Sequence, residues 1–219
     1  MALFDITIIG AMNAIDAIKA RRSINFFDPS RKIPDDVLKE LIEIANLSPS
    51  SFNLQPWEVI VVTEQEKKKV LRRCAFDQPK VEEASAILII IADPHAVEKN
   101  INNVLDSWQS LGYIKPEARN NYIAIASNLY GSADSLKRKL FAVKNASLFA
   151  MTLMIAAKEL GLDTHPMDGF DEECIKKEFN ISEDKLIPML IAVGYLREGI
   201  TLLPRAWRRR IVDFVKFNP

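Results

Sequence analysis

Residues 86–92 read Ala-Ile-Leu-Ile-Ile-Ile-Ala, a run without one polar side chain, closed by Asp93–Pro94. A strand with one wet face alternates apolar and polar residues. A continuous apolar run of this length fits a strand buried on both faces. Two further segments have strand character: Trp57 to Thr63, with Val and Ile in its middle, and Ile187 to Val193, closed by Gly194. Helical patterns lie between and around them, over residues 12–22, 64–76, 141–160 and 171–178. Another helix opens near Pro34, with Asp35 and Asp36 in the turn where the dipole favours acids and Val37, Leu38, Leu41, Ile42 and Ala45 on one face. Residues 95–140 are mostly polar and read as helical. Helices and strands are interspersed without a regular βα alternation, so the expected class is α+β.

The segment from Ala146 to Ala157 is apolar nearly all round and is closed by Lys144 and by Lys158–Glu159. Such a helix belongs inside the protein or in a subunit interface. Gly161 is its expected C-terminal stop. The 219 residues suit one domain, and no repeat, linker or composition shift divides them. Lys+Arg and Asp+Glu both number 29, so no global charge holds nucleic acid or an anionic membrane. The N-terminus lacks a basic segment ahead of its apolar residues, and no stretch reaches the ~18–20 residues of a membrane span. A cytoplasmic location is the expectation. The two histidines and two cysteines have no paired metal-ligand spacing, so no metal site is expected. Cys74 and Cys174 are expected as buried reduced thiols, with a single bridge as the alternative.

Dinucleotide, P-loop, nucleophile-elbow and H-E-x-x-H motifs are all absent. Two segments carry chemistry instead. Lys19-Ala-Arg-Arg-Ser-Ile-Asn-Phe-Phe27 ends a helix with two arginines and a serine, side chains that fork onto phosphate oxygens. The same residues also suit a basic helix terminus that complements the dipole. Leu47-Ser-Pro-Ser-Ser-Phe-Asn-Leu-Gln-Pro-Trp57 offers Ser50, Ser51, Asn53 and Gln55 on a backbone stiffened by prolines. That composition suits a rigid polar cradle for a small molecule, or an ordinary capped turn.

Together these segments resemble the nitroreductase family of FMN-dependent NAD(P)H oxidoreductases. The resemblance rests on Arg21-Arg22-Ser23 followed by Ser48-Pro-Ser-Ser-x-Asn-x-Gln-Pro-Trp57. It continues through Gln78-Pro-Lys80, Ala84-Ser85, Pro166-Met-Asp-Gly-Phe170 and the strand ending at Gly194–Tyr195. It implies a mostly antiparallel sheet flanked by helices in an intertwined homodimer. Residues 1–11 would be an N-terminal extension, and residues 197–219 a tail embracing the partner subunit. It also implies tightly bound FMN, with NAD(P)H as electron donor. Arg21, Arg22 and Ser23 would hold the phosphate and ribityl chain, and a tail arginine would complete that site, Arg209 by position with Arg208 and Arg210 beside it. Pro49, Ser50, Ser51, Asn53 and Gln55 would come from the other subunit and line the ring. Asp168–Gly169 would face the flavin N5 region.

Two positions depart from the family pattern. Asn25 stands where relatives commonly carry a cation near the flavin pyrimidine edge, and Lys80 is the candidate replacement. Asp168 stands for the usual glutamate. The implied activity is hydride transfer from NAD(P)H through FMN to nitroaromatics or quinones, in ping-pong order, with no catalytic side chain assigned. The alternative is a flavin-binding sensor or store with little turnover. Trp108, Tyr113, Tyr122 and Tyr130 are candidate gates for the acceptor, and His165 is expected in the core or behind the site.

Overall fold

The structure is a computed structural model and describes residues 13–218. The expected N-terminal extension lies outside the described residues. Four strands form one antiparallel sheet in the order β1-β2-β4-β3: β1 (Trp57–Val62), β2 (Ala86–Ala92), β3 (Asp163–Met167) and β4 (Leu186–Gly194). β2 is buried along its whole length, as its composition demands. Its alternate residues feed two separate cores. Ala86, Leu88, Ile90 and Ala92 pack with α2 (Asp35–Ala45), α5 (Ala96–Ser110) and α7 (Leu136–Glu159). Ile87, Ile89 and Ile91 pack with α3 (Gln65–Cys74), α4 (Lys80–Glu83), α8 (Glu172–Phe179) and the chain around Ile24 and Phe27. The remaining helices are α1 (Ala14–Ala20) and α6 (Arg119–Tyr130).

α7 begins at Leu136, five residues before the apolar face signals it. The Ser135 side chain caps it by accepting from the Arg138 N–H at 3.2 Å. Its end is set by Gly161 at φ +72°, a conformation that costs glycine little, and by the Leu162 N–H donating to the Ala157 carbonyl at 2.8 Å. By length and composition α7 could cross a membrane, yet Phe149, Ala150 and Leu153 are buried in the sheet-side core. Gly194 is forced by close approach, because a Cβ there would lie 2.8 Å from the Phe27 ring.

One expectation is corrected, and one strand lies where the sequence carries no strand signal. Cys74 and Cys174 are joined as a disulfide rather than left as thiols. Their Cα atoms lie 5.5 Å apart, within bridging range, because the α3 end and the α8 start meet under the second core. β3 was not expected as a strand, since Asp, Thr, His and Pro hide its pattern. It is the sheet edge, where Pro166 removes no ladder bond that a central strand would need.

Candidate functional site

The segment after α1 is laid along β3. Ser23 bridges to Thr164, the Ile24 N–H donates to the Thr164 carbonyl at 3.2 Å, and Ile24 is buried. This register puts Arg21, Arg22, Ser23 and Asn25 at one edge of the sheet. The tail returns to the same place. Arg22 donates to the Leu203 carbonyl at 3.0 Å, and Arg205 donates to the carbonyls of Lys19 and Arg21.

The result is a cluster of cations. Burial pushes the Arg21 guanidinium below its ordinary pKa, and repulsion from Arg205, Arg208 and Arg22 pushes it further. Arg21 Nη1 is buried without a hydrogen-bond partner among the described residues. Among the described residues no carboxylate lies within ion-pair distance of Arg21, Arg22, Arg205 or Arg208; the arginines that do pair are elsewhere. Arg209 donates to the Asp213 carbonyl at 2.6 Å and lies 5.2 Å over the Phe214 ring. Sequence reasoning did not single out Arg205. The signal was present only as one arginine among five in the tail.

Beside this cluster, Lys80 Nζ donates to Asn25 Oδ1 at 2.8 Å and lies 3.3 Å from His165 Nε2. His165 Nδ1 lies 2.6 Å from the Ile24 carbonyl, which can only accept. Burial, with Lys80 next, lowers the His165 pKa against the opposing Ile24 bond, which favours the neutral ring. Burial also lowers the Lys80 pKa. Asp168 and Gly169 are exposed. The Gln78 amide donates to the Gly169 carbonyl at 2.8 Å and to the Ala75 carbonyl at 3.0 Å. The Asp171 N–H donates to the Cys74 carbonyl at 2.7 Å, next to the disulfide.

The Pro49–Gln55 loop is built apart from this group. No hydrogen bond or ion pair among the described residues joins the two. The loop holds a single 3-10 turn, Ser51–Asn53, in which Phe52 and Asn53 take positive φ, as does Gln55 just beyond. Such conformations cost non-glycine residues about 1–3 kcal/mol each and persist only where neighbours enforce them. Here the Ser51 N–H donates to Asn145 Oδ1 at 3.0 Å, from the middle of α7. The Gln55 N–H donates to Ser50 Oγ at 3.0 Å. The Phe52 ring meets Trp108, Tyr122 and Tyr130 at 6.0, 6.4 and 6.3 Å between centroids. Three of the four candidate gate aromatics are thus gathered behind the loop, whereas Tyr113 is exposed. Asn145 was missed from sequence; one amide abutting an apolar helical run was its only mark.

Comparison with known proteins fits this arrangement. The nitroreductase family model matches residues 18–195. The chain belongs to the Nitroreductase family. YodC of Bacillus subtilis, which carries an NAD(P)H nitroreductase name, is 37% identical over 83% of this chain and 89% of its own. A CLA biosynthesis enone reductase from Lactiplantibacillus plantarum is 30% identical over 82% of this chain and 83% of its own. Among solved structures, that of an Exiguobacterium sibiricum protein described as a nitroreductase in complex with FMN superimposes with a TM-score of 0.84. It shares 28% identity and covers 95% of this chain and 98% of its own.

Proposed function

We propose that the protein is an FMN-dependent oxidoreductase that takes electrons from NAD(P)H and passes them to small acceptors, nitroaromatics and quinones among them, as a cytoplasmic homodimer. The observation that carries this reading is the partnerless Arg21 Nη1 amid Arg22, Arg205 and Arg208. Guanidinium groups gathered without a carboxylate repel one another, and a multi-oxygen anion relieves that repulsion through forked, charge-assisted hydrogen bonds. A flavin phosphate is such an anion.

The rest of the site suits the same ligand. Ser23 offers a hydroxyl to the ribityl chain beside the phosphate group. Lys80 with Asn25 supplies positive charge and an amide for the pyrimidine edge, which favours a reduced, anionic ring. The Asp168–Gly169 backbone, steadied by Gln78, supplies main-chain groups to the ring. The Pro49–Gln55 loop of a second copy would close the other side, with the aromatic wall behind Phe52 keeping water from the acceptor. Bound FMN carries hydride between the nicotinamide donor and the acceptor. Donor and acceptor use the same opening in turn, the ping-pong order. Lys80 speaks against the reading as a passive flavin store, because the cation expected at position 25 is relocated rather than lost.

The dimer is supported by apolar surface left open in one chain. Ile15 and Ile18 on α1, Leu140 and Leu148 on α7, and Trp207 and Phe217 in the tail are all exposed, the last two at 77% and 82%. Surface of that kind marks an interface on a water-exposed protein.

An anaerobic titration tests the activity. NADH or NADPH is expected to bleach the flavin absorbance of the FMN-loaded protein, and a nitroaromatic, a quinone or an activated enone should restore it. A flavin that stays oxidised with either nicotinamide would reduce the protein to a flavin binder.

A further inference from the structure

We infer that His165 is a positioning residue for the cation at the flavin edge: it holds Lys80 in the place that Asn25 leaves uncharged, and so helps to set the reduction potential of the cofactor. This rests on the FMN reading above. The hydrogen bonds fix the role of each ring atom. The Ile24 carbonyl has no proton, so His165 Nδ1 carries one and donates it across 2.6 Å. In the neutral ring Nε2 is then left with a lone pair, and it points at Lys80 Nζ 3.3 Å away. Ile24 is itself pinned to β3 by its bond to Thr164, so the acceptor presented to Lys80 stands on a fixed part of the sheet.

Lys80 therefore meets two neutral acceptors, His165 Nε2 and Asn25 Oδ1, from two different segments. An ammonium group has three donors, which leaves one for a ligand. A lysine side chain otherwise spreads over many rotamers, and two acceptors select among them. Neutrality is what matters chemically. A carboxylate in the place of His165 would hold Lys80 equally well and cancel its charge. An imidazole lone pair and an amide oxygen hold the ammonium and leave its charge in place for the ring. The lowered pKa of His165 favours the neutral ring that carries this lone pair.

Two measurements test the inference together. The first is ¹⁵N NMR of the imidazoles in apo-protein; His165 and His95 are the two histidines, so the variant His95→Gln assigns the spectrum. The expected pattern for His165 is a protonated Nδ1 and an unprotonated Nε2, with the Nε2 resonance displaced in Lys80→Met. The second is the midpoint potential of FMN-loaded protein. Lys80→Met and His165→Leu should both lower it, and the double variant should fall no further than Lys80→Met alone. His165→Gln, which keeps one donor and one acceptor, should recover most of the parent value. An Nε2 resonance indifferent to Lys80→Met overturns the inference, even if His165→Leu does not fold. So does a potential unchanged in His165→Leu, or a loss that adds in full to that of Lys80→Met. Failure of the parent to take up FMN would be a different result, because it removes the FMN reading itself and this inference with it.

Discussion

Asn145 ties the polar loop to the longest helix through two bonds on one amide. Its Nδ2 donates to the Phe141 carbonyl at 2.7 Å, which turns Oδ1 toward the Ser51 N–H. Asn145→Leu keeps the volume and removes the acceptor, leaving that N–H part-buried and unpaired. A loss of about 1–3 kcal/mol in unfolding free energy is expected, read by urea denaturation. The two flavin-type segments were legible as residues because Arg-Arg-Ser and Ser-Pro-Ser-Ser-x-Asn combine unusual side chains at fixed spacing. Asn145 and Arg205 were not, since each acts through a partner more than ninety residues away and no local pattern marks it. Arg209, favoured by position, donates to the Asp213 carbonyl of its own tail turn.

α3 illustrates how an element conceals a core residue. Its run Lys67-Lys68-Lys69 reads as a solvated face, yet Lys68 is wholly buried and donates to the Glu82 and Ala84 carbonyls at 3.0 and 2.7 Å. It thereby satisfies carbonyls at the C-terminal end of α4, the short helix that carries Lys80. Burial, with repulsion from Lys32, pushes the Lys68 pKa down to about 8. Between that value and the ordinary 10.5, the unfolded chain binds a proton that the folded chain has released. Stability from this group therefore rises with pH across that window, and the penalty is full below it. In Lys68→Met the rise is expected to disappear when unfolding free energy is compared at pH 7.5 and 10. The strands at residues 57–62, 86–92 and 186–194 were legible because each is rich in branched apolar residues. β3 was not, because an edge strand made of Asp-Thr-His-Pro-Met owes its conformation to β4 and not to its own propensity. The disulfide likewise depends on α3 and α8 meeting in space, which two cysteines a hundred residues apart do not announce.

At the scale of the whole molecule, the described chain leaves both its tail and one side of α7 with exposed apolar residues, among them Leu203, Trp207 and Phe217 in the tail. The proposed homodimer would cover a tail of this composition. Light scattering at micromolar concentration should give twice the 24.8 kDa chain mass, and deletion of residues 201–219 should lower both dimer stability and FMN retention. The α+β class followed from periodicity, whereas the division of β2 between two cores required the tertiary structure. The central claim is that the cation cluster around Arg21 binds the phosphate of a flavin. It is tested most directly by titrating parent protein and Arg21→Ala with FMN and with riboflavin, which differ in that phosphate. FMN affinity should fall roughly tenfold to a hundredfold in Arg21→Ala while riboflavin affinity holds, since charged hydrogen bonds of this kind are worth about 1.5–3 kcal/mol. Equal losses for the two ligands, or a parent protein that binds them equally well, would contradict the account.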